Sequence, residues 1–351
     1  MKNPQQLKGR GASGNPANRF ESLWIEPDQQ CGEKPATEYF HEASRSAITY
    51  NDSPDVNFNA SVNPYRGCEH GCAYCYARPG HEYLGYSVGL DFETKILVKT
   101  DTPELLKKEL AAPKWKPQII GMCGVTDPYQ PVEKQLELTR SCLEVLHSYR
   151  NPVALITKNH LVTRDTDILG AMAADNTASV AVSITTLDAE LARSMEPRAS
   201  HPVKRLRAIE SLTRAGVPVT VLAAPMIPGL NDHEMPEILK RAADAGAVSA
   251  GYILLRLPYG VKDVFSSWLS ANYPDRAEKV MNRQREMHGD KLNLTNYGER
   301  MKGQGAGAKQ LEDLFEISRR RSGFKSGRPS LSIAHFRLPD KQQIDLFADH
   351  P

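Results

Sequence analysis

Long apolar runs and secretory features are missing from this 351-residue chain. No apolar run approaches the roughly 18 residues that a membrane-spanning helix needs, and the first residues lack the apolar centre of a secretory signal. We therefore expect a protein that does not enter membranes and works in the cytoplasm, where thiols stay reduced. Lysine and arginine number 44 against 42 acidic residues, so the overall charge indicates no class of partner.

Cysteine is scarce as well, but three of the six cysteines lie close together. The segment YRGCEHGCAYCY places Cys68, Cys72 and Cys75 at the spacing C-x3-C-x2-C. In a reducing compartment, such a group is more typical of metal ligands or catalytic thiols than of disulfides.

Three kinds of metal centre compete for these thiols. A c-type haem needs His directly after the second Cys of C-x-x-C, and because Tyr76 follows Cys75, this kind is excluded. Zinc needs a fourth ligand, which His70 or His81 could supply, but the chain has no second C-x2-C pair. An iron–sulfur cluster suits soft thiolates, and with three protein ligands one iron of a cubane stays open to a small molecule.

Hydrophobic runs alternate with helical periods between the cysteine motif and residue 258. Six runs predict buried strands: ASVNPY, QIIGMCGV, PVALITK, SVAVSITT, PVTVLAAPMIP and SAGYILLRLP. Such alternation predicts a parallel sheet with right-handed crossovers, either open or closed into a complete or partial barrel. Both architectures place functional groups at the C-terminal strand ends.

The composition divides the chain into four parts. We expect an irregular N-terminal extension, an α/β core, a helical and basic C-terminal region and a flexible tail, at residues 1–55, 56–262, 263–335 and 336–351. Within the core, residues 134–150 predict one continuous helix.

The cysteine motif in this β/α context resembles the radical S-adenosylmethionine (SAM) superfamily. The words NPYRGCEHGCAYCYAR, TDPYQPVE, LITKN and SITT…EPR are similar to the spore photoproduct lyase-related branch, whose members are often labelled DNA repair photolyases. The resemblance covers roughly residues 58–260 and implies a partial (β/α)6 TIM-like barrel of the radical SAM type.

This resemblance implies a concrete chemistry. Cys68, Cys72 and Cys75 would bind three irons of a 4Fe–4S cluster, and SAM would chelate the fourth iron. One electron, from a reductant of the flavodoxin or ferredoxin type, would cleave SAM to methionine and a 5′-deoxyadenosyl radical that abstracts a hydrogen atom from the substrate. The protein would orient these cofactors and exclude water and oxygen.

The same resemblance indicates which residues would hold SAM. Thr126 and Asp127 would take its ammonium group, a task that other branches give to a Gly-Gly-Glu motif that this chain does not have at this position. Lys158 would meet the carboxylate, and Ser183 would bond the ribose. The alternatives are local: a turn opened by Asp127, a solvated lysine, and capping by the serine.

Three further residues complete the implied SAM site. Glu196 and Arg198 would grip ribose hydroxyls and carboxylate, with an ion pair inside their own loop as the alternative. Tyr74 would lie against the adenine.

Cys123, on the second predicted strand, has two interpretations. Spore photoproduct lyases carry a cysteine near this position that returns a hydrogen atom to the product radical, although the spacing to the following Asp differs by one residue. The alternative is a buried cysteine that acts as a small hydrophobe, which is also the role expected of Cys142. Cys31 has no assigned role.

Two segments near the C-terminus indicate nucleic acid. The segment Gln343–Phe347, QIDLF, resembles the short motif with which bacterial DNA enzymes dock on the sliding clamp; Leu346 and Phe347 would fill an apolar pocket there. The alternative is a tail that only packs on the domain. The basic run Ser318–Arg328 fits phosphate contact or a solvated face.

These observations favour a radical SAM enzyme of lyase or repair type, with damaged DNA as its candidate substrate. Two alternatives remain. One is a radical SAM enzyme that acts on a peptide, a tRNA or a small metabolite. The other is a non-catalytic metal-binding or DNA-associated scaffold protein.

Overall fold

A computed structural model describes residues 9–20, 35–56, 58–327 and 329–339 of the chain. Its strands lie in two sheets. In chain order the strands are β1 Glu38–His41, β2 Ile48–Tyr50, β3 Ala60–Val62, β4 Tyr65–Arg66, β5 Lys95–Val98, β6 Ile120–Met122, β7 Val153–Thr157, β8 Ala178–Ser183, β9 Val219–Met226 and β10 Ser249–Leu254.

The larger sheet has the strand order β10-β9-β8-β7-β6-β3-β2. Six of its strands, β3 and β6 to β10, pair in parallel, and β2 joins the edge antiparallel to β3. These six are the predicted strands, in sequence order across the sheet, as a partial (β/α)6 barrel requires. The predicted fold class is therefore confirmed.

Helices follow the parallel strands along the chain. In chain order they are α1 Leu90–Thr94, α2 Thr102–Ala111, α3 Glu133–Leu136, α4 Leu138–Ser148, α5 Thr166–Ala174, α6 Ala189–Met195, α7 Pro202–Arg214, α8 Met235–Asp244, α9 Val261–Asn272, α10 Pro274–Glu286 and α11 Gly305–Arg321. Short 3-10 helices cover Arg78–Leu84, His160–Asp165 and Asp232–Glu234. In the part of the chain that the structure describes, no helix is both long and apolar enough to cross a membrane.

Apolar periodicity explains why these helices pack on the sheet. In α8, Met235, Ile238, Leu239 and Ala242 are all buried, and they join one hydrophobic core with the strands and with Phe315 of α11. Spacing of i, i+3, i+4 and i+7 puts them on one helical face. The C-terminal helical region therefore shares the core of the sheet, and its boundary at residue 263 stays a prediction.

The structure corrects three predictions. The segment predicted as irregular contains β1, which pairs in parallel with β5 in the second sheet, and β2. The helix predicted over 134–150 is interrupted at Glu137, whose positive φ of 52° separates α3 from α4. Residues at the start of the predicted flexible tail pack against the core, because Phe336 contacts the ring of Tyr149.

Candidate active site

One cavity at the C-terminal strand ends collects the cysteines of the motif. Cys68 and Cys72 are buried, Cys75 is half-buried, and all three are free thiols that line this cavity. They lie in the loop that follows β3 and β4. This loop is hydrogen-bonded to α1, because the Cys68 N–H donates to the Phe92 carbonyl at 2.9 Å. The topology of the parallel sheet thus places the thiols where α/β proteins carry their chemistry.

These thiols fit an iron–sulfur cluster better than a single ion. Among the described residues, no three His, Cys, Asp or Glu side chains are arranged to hold one metal ion. A cubane is larger than an ion, and each cysteine binds a different iron, so its ligands do not need to converge on one point. Burial raises the pKa of the Cys72 thiol well above its usual range, so the thiolate form calls for the positive charge of bound metal.

Lys158, after β7, reaches across the cavity wall to the neighbouring strands. Its ammonium donates to the Ser183 hydroxyl at 2.7 Å, the Thr185 hydroxyl at 2.9 Å and the Ala224 carbonyl at 2.9 Å. The same ammonium lies 3.1 Å from a carboxylate oxygen of Glu196. Lys158 and Ser183 both line the cavity. Lys158 is not the solvated lysine of the alternative, and Ser183 bonds across strands rather than capping locally, while the SAM contacts of both residues stay a prediction.

Glu196 forms the buried centre of this wall. Its carboxylate accepts hydrogen bonds from the hydroxyls of Thr185 and Tyr74 and from the guanidinium of Arg205. Burial acts to raise the pKa of Glu196, but the charges of Arg205 and Lys158 outweigh burial and lower it. Glu196 therefore stays ionised and holds Lys158 in place. It does not line the cavity, so its predicted contact with ribose stays a prediction.

Tyr74 lies in this wall, buried between the cysteine loop and Glu196. Its ring lines the cavity, and the Lys158 ammonium is 5.5 Å from the ring centroid. The predicted place beside adenine is compatible with this position. Burial raises the pKa of Tyr74 well above its usual range, and the nearby Glu196 carboxylate raises it further, so the hydroxyl donates to Glu196 as a neutral group.

Asp127 ties two strand ends together at the opposite side of the cavity. Its carboxylate accepts from the Thr157 hydroxyl at 2.7 Å and the Lys158 backbone N–H at 2.8 Å, and it lies 3.4 Å from His70 Nδ1. Burial acts to raise the pKa of Asp127, but the His70 charge and these bonds lower it overall. Thr126 hydrogen-bonds the Gly67 carbonyl at 2.6 Å. Both residues line the cavity, so their predicted role toward the SAM ammonium stays open.

Arg198 points away from the cavity. Its guanidinium pairs with Glu69 at 3.1 Å and donates to the Thr37 hydroxyl at 3.2 Å. Glu69 also accepts from the backbone N–H of Val132, so this pair braces the cysteine loop against the neighbouring strand end. The ion pair inside the loop, which was the alternative, is not formed, because Glu196 pairs with Arg205 and Arg198 pairs with Glu69. The predicted contact of Arg198 with SAM stays a prediction.

Cys123 lines the same cavity just after β6 and is buried. Burial, together with the charge of Asp127, raises its pKa to about 12, so the sulfur keeps its hydrogen at neutral pH. The structure thus gives it the access that a hydrogen donor needs. Cys142, by contrast, is fully buried in the hydrophobic core, as predicted.

Sequence reasoning missed Arg256, and it considered His70 only as a possible zinc ligand. Arg256 lines the cavity after β10, with its guanidinium carbon 5.6 Å from the Tyr76 ring centroid. Its Nε is buried without a hydrogen-bond partner among the described residues. The signal was a single cation near the end of the last apolar run, SAGYILLRLP. His70 lies inside the cysteine motif, where only the fold shows that it faces Asp127.

The C-terminal predictions fall partly outside the described residues. In the basic run, Arg319 bonds Glu316 at 2.8 Å and the Phe324 carbonyl at 2.9 Å, so this cation stabilises the end of α11. The segment Gln343–Phe347 and Cys31 lie outside the described residues.

Comparisons with known proteins identify the family of this chain. A family model described as the radical SAM superfamily matches residues 62–242. An uncharacterized protein of Mycobacterium tuberculosis is 34% identical over 255 residues, 71% of this chain and 73% of its own length. An uncharacterized protein of Methanocaldococcus jannaschii is 28% identical over 222 residues, 63% of this chain and 79% of its own length.

Solved structures share the fold. A cysteine-to-serine mutant of spore photoproduct lyase has a TM-score of 0.59 at 17% identity, covering 81% of this chain and 79% of its own. A double mutant of that enzyme with bound AdoMet and dinucleoside spore photoproduct has a TM-score of 0.57 at 18% identity, covering 82% of each chain. At these identities the likeness shows a common fold.

Proposed function

Because the chain belongs to the radical SAM superfamily, we propose that it abstracts a hydrogen atom from a damaged base in nucleic acid. It is an enzyme of the radical SAM class, and its cofactors are a 4Fe–4S cluster and SAM. When bound, this pair supplies a 5′-deoxyadenosyl radical as the hydrogen-abstracting agent. The observation that carries the proposal is one cavity lined together by the three free cysteines, by polar side chains at strand ends and by Arg256.

In this proposal Cys68, Cys72 and Cys75 bind the cluster. Lys158 supplies a fixed positive charge in the wall where an amino-acid carboxylate can bind, and Glu196 and Arg205 keep that charge in position. Thr126, Asp127 and Ser183 offer oxygen atoms at other strand ends for the remaining polar groups of SAM. The apolar part of the cavity lining excludes water from the reacting atoms.

Cys123 acts as hydrogen donor in this scheme. It lines the cavity that also contains the cysteine loop, and burial keeps it as a thiol. Donation of the S–H hydrogen to a product radical would leave a sulfur-centred radical, which one electron and one proton from the reductant and solvent restore to the thiol. The proposed reductant is a one-electron donor of the flavodoxin or ferredoxin type.

Nucleic acid is supported by a cation and an aromatic ring that line the cavity and by exposed aromatic rings around Arg19. Arg256 offers a partly buried cation to a phosphate, and Tyr76 beside it is half-exposed. Tyr83 follows Tyr76 along the chain, and Tyr259 follows Arg256. The centroids of these two rings lie 5.6 and 3.9 Å from the Arg19 guanidinium carbon, and both rings are largely exposed. Exposed aromatic rings beside arginine stack on unpaired bases. A solved structure of similar fold carries a dinucleoside photoproduct.

Deuterium tracing tests the substrate. Reduced, anaerobic enzyme is given SAM and ultraviolet-damaged DNA deuterated at the thymine methyl groups and C6 positions, with undamaged DNA as control. We expect deuterium in 5′-deoxyadenosine only with the damaged DNA. Arg256→Ala should weaken binding of the damaged DNA by roughly tenfold, while Arg320→Ala in the basic run should have a smaller effect. If deuterium enters 5′-deoxyadenosine from a labelled peptide, tRNA or metabolite and not from damaged DNA, the proposal is wrong and the other radical SAM alternative holds.

A sliding clamp is the second proposed partner, through Gln343–Phe347. Removal of residues 343–347 should abolish association with the clamp, measured by size-exclusion chromatography. Unchanged association after that removal would make the motif accidental.

A further inference from the structure

The cysteine loop is held from outside by the first described residues of the chain. We call residues 9–20 the N-terminal arm. It lies outside residues 62–242, the part matched by the family model, and it was expected to be irregular. Ala12 of the arm is buried against Val88, Leu90 and Val264, so this short segment packs like a core element.

A buried ion pair connects the arm to the loop. Glu93 and Arg78 are fully buried, with Arg78 Nη2 2.5 Å from Glu93 Oε1. The same carboxylate accepts the backbone N–H groups of Gly11 at 3.1 Å and Ala12 at 2.8 Å. The carboxylate thus binds the arm on one side and the arginine on the other.

Arg78 connects Glu93 to the backbone of Cys72, a candidate cluster ligand. Its Nε and Nη2 donate to the carbonyl of Cys72 at 3.1 and 2.8 Å, and its Nη1 donates to the carbonyls of Val88 and Gly89 at 2.9 and 2.8 Å. The guanidinium is planar and rigid, so it fixes the carbonyl of Cys72 relative to Glu93.

The backbone of the arm lies in close contact with the backbone of the cysteine loop and of the segment before α1. A Cβ atom added at Gly11 would lie 1.7 Å from the Gly71 carbonyl oxygen, and one at Gly89 would lie 2.0 Å from that of Gly14. Asn15 and Asp91 exchange hydrogen bonds of 3.0 and 3.1 Å beside these contacts. The glycines therefore permit an approach that any side chain would block.

We propose that the N-terminal arm is a built part of the cluster site and that Glu93 is its positioning residue. Glu93 acts through Arg78 and through the amides of the arm, and it holds the loop from Cys68 to Cys75 in the conformation that the cluster needs. This inference rests on the proposed cluster ligands and does not depend on the substrate.

The test measures retention of the cluster. Full-length wild-type protein, Gly11→Ala and Glu93→Gln are reconstituted anaerobically and exposed to air, and iron, sulfide and visible absorption are followed. We expect both variants to lose the cluster roughly tenfold faster or more, because each separates the loop from its buried anchor. Reduced Glu93→Gln should also show shifted EPR g-values. The controls are Ala17→Ser, at an exposed site of the arm, and Gly80→Ala, where an added Cβ meets no atom within 4 Å.

A second measurement separates the cluster site from general stability. The cluster stabilises the folded chain that binds it, so the rise in melting temperature from apoprotein to cluster-loaded protein should shrink in Gly11→Ala. Cluster lifetimes equal to wild type, or a loss of melting temperature that is the same with and without cluster, would overturn the inference. If wild-type protein itself takes up no cluster, the proposed function fails instead.

Discussion

Two buried networks of charged side chains in this molecule have similar composition but different surroundings. The cavity network joins Glu196 to Tyr74, Lys158 and Arg205. The helix network joins Glu133, at the start of α3, to Tyr65 at 2.5 Å and to Arg164 at 2.7 Å, and continues to Asp165, Arg140 and Asp167.

Only the surroundings distinguish the two networks. Each has a fully buried glutamate that accepts a hydrogen bond from a tyrosine hydroxyl and pairs with a cation: Glu196 with Lys158 and Arg205, Glu133 with Arg164. Lys158 and Tyr74 line the cavity, whereas none of the named residues of the helix network does. Buried ion pairs are therefore weak evidence of function by themselves. We infer function from the cavity and the cysteines beside it.

The largest expected effect comes from removing one cation from each network. Lys158→Met and Arg164→Met each leave a buried glutamate with one cation fewer, so each should lower the free energy of unfolding by about 3 kcal/mol. Only Lys158→Met should also weaken SAM binding, by roughly tenfold or more. Denaturant unfolding and calorimetric titration with SAM measure the two effects. Equal loss of SAM affinity in both variants would remove the distinction between the networks.

Replacing the glutamates with glutamine sharpens the comparison. Glu196→Gln and Glu133→Gln keep the shape but remove the charge, and each should cost about 1–3 kcal/mol of stability. Glu196→Gln should in addition weaken SAM binding, because Lys158 loses the carboxylate that positions it. If Glu196→Gln binds SAM as tightly as Glu133→Gln does, the wall does not position Lys158.

The two buried cysteines outside the motif extend the comparison. Cys142→Ala should lower stability by about 1 kcal/mol, as loss of a small core side chain does, and leave product formation unchanged. Cys123→Ala should keep SAM cleavage but stop the return of hydrogen to the product, seen as trapped or misquenched product by mass spectrometry. If Cys123→Ala forms the normal product, Cys123 is not a hydrogen donor and acts only as a small hydrophobic side chain.

The smallest effect concerns the exposed end of the helix network. Hydrogen bonds from Arg140 lower the pKa of Asp167 to about 2, below its ordinary 3.8. A lowered carboxyl pKa stabilises the fold above pH ~4, and this contribution disappears as the pH falls through about 2. Because Asp167 is largely exposed, Asp167→Asn should cost less than about 1 kcal/mol at pH 7. Acid unfolding curves of variant and wild type should converge near pH 2.

The sequence predicted the central sheet because its signals are local. Each parallel strand is a continuous apolar run followed by a helix with clear periodicity, so the order β3, β6 to β10 needed no tertiary information. The cysteine spacing likewise identified the loop at the first strand end. Lys158, Ser183 and Cys123 were predicted at the cavity because strand ends meet at one edge of such a sheet.

Other parts depend on contacts between distant residues. Arg198 pairs with Glu69, which is far away in sequence. No local sequence pattern distinguishes this ion pair from a contact between Arg198 and SAM. The break at Glu137 interrupts a helix whose periodicity continues on both sides. The N-terminal arm has no apolar period; it is ordered by Glu93, more than eighty residues away, and by glycine contacts.

The most direct measurement compares wild-type protein with Cys72→Ala after anaerobic reconstitution. Iron content, the EPR spectrum of the dithionite-reduced protein and SAM cleavage are recorded together, with Cys142→Ala as the control thiol. We expect about four irons per chain, an EPR-active reduced cluster and SAM cleavage in wild type and in Cys142→Ala, and none of these in Cys72→Ala. Stoichiometric zinc in wild-type protein, with SAM left intact, would contradict it.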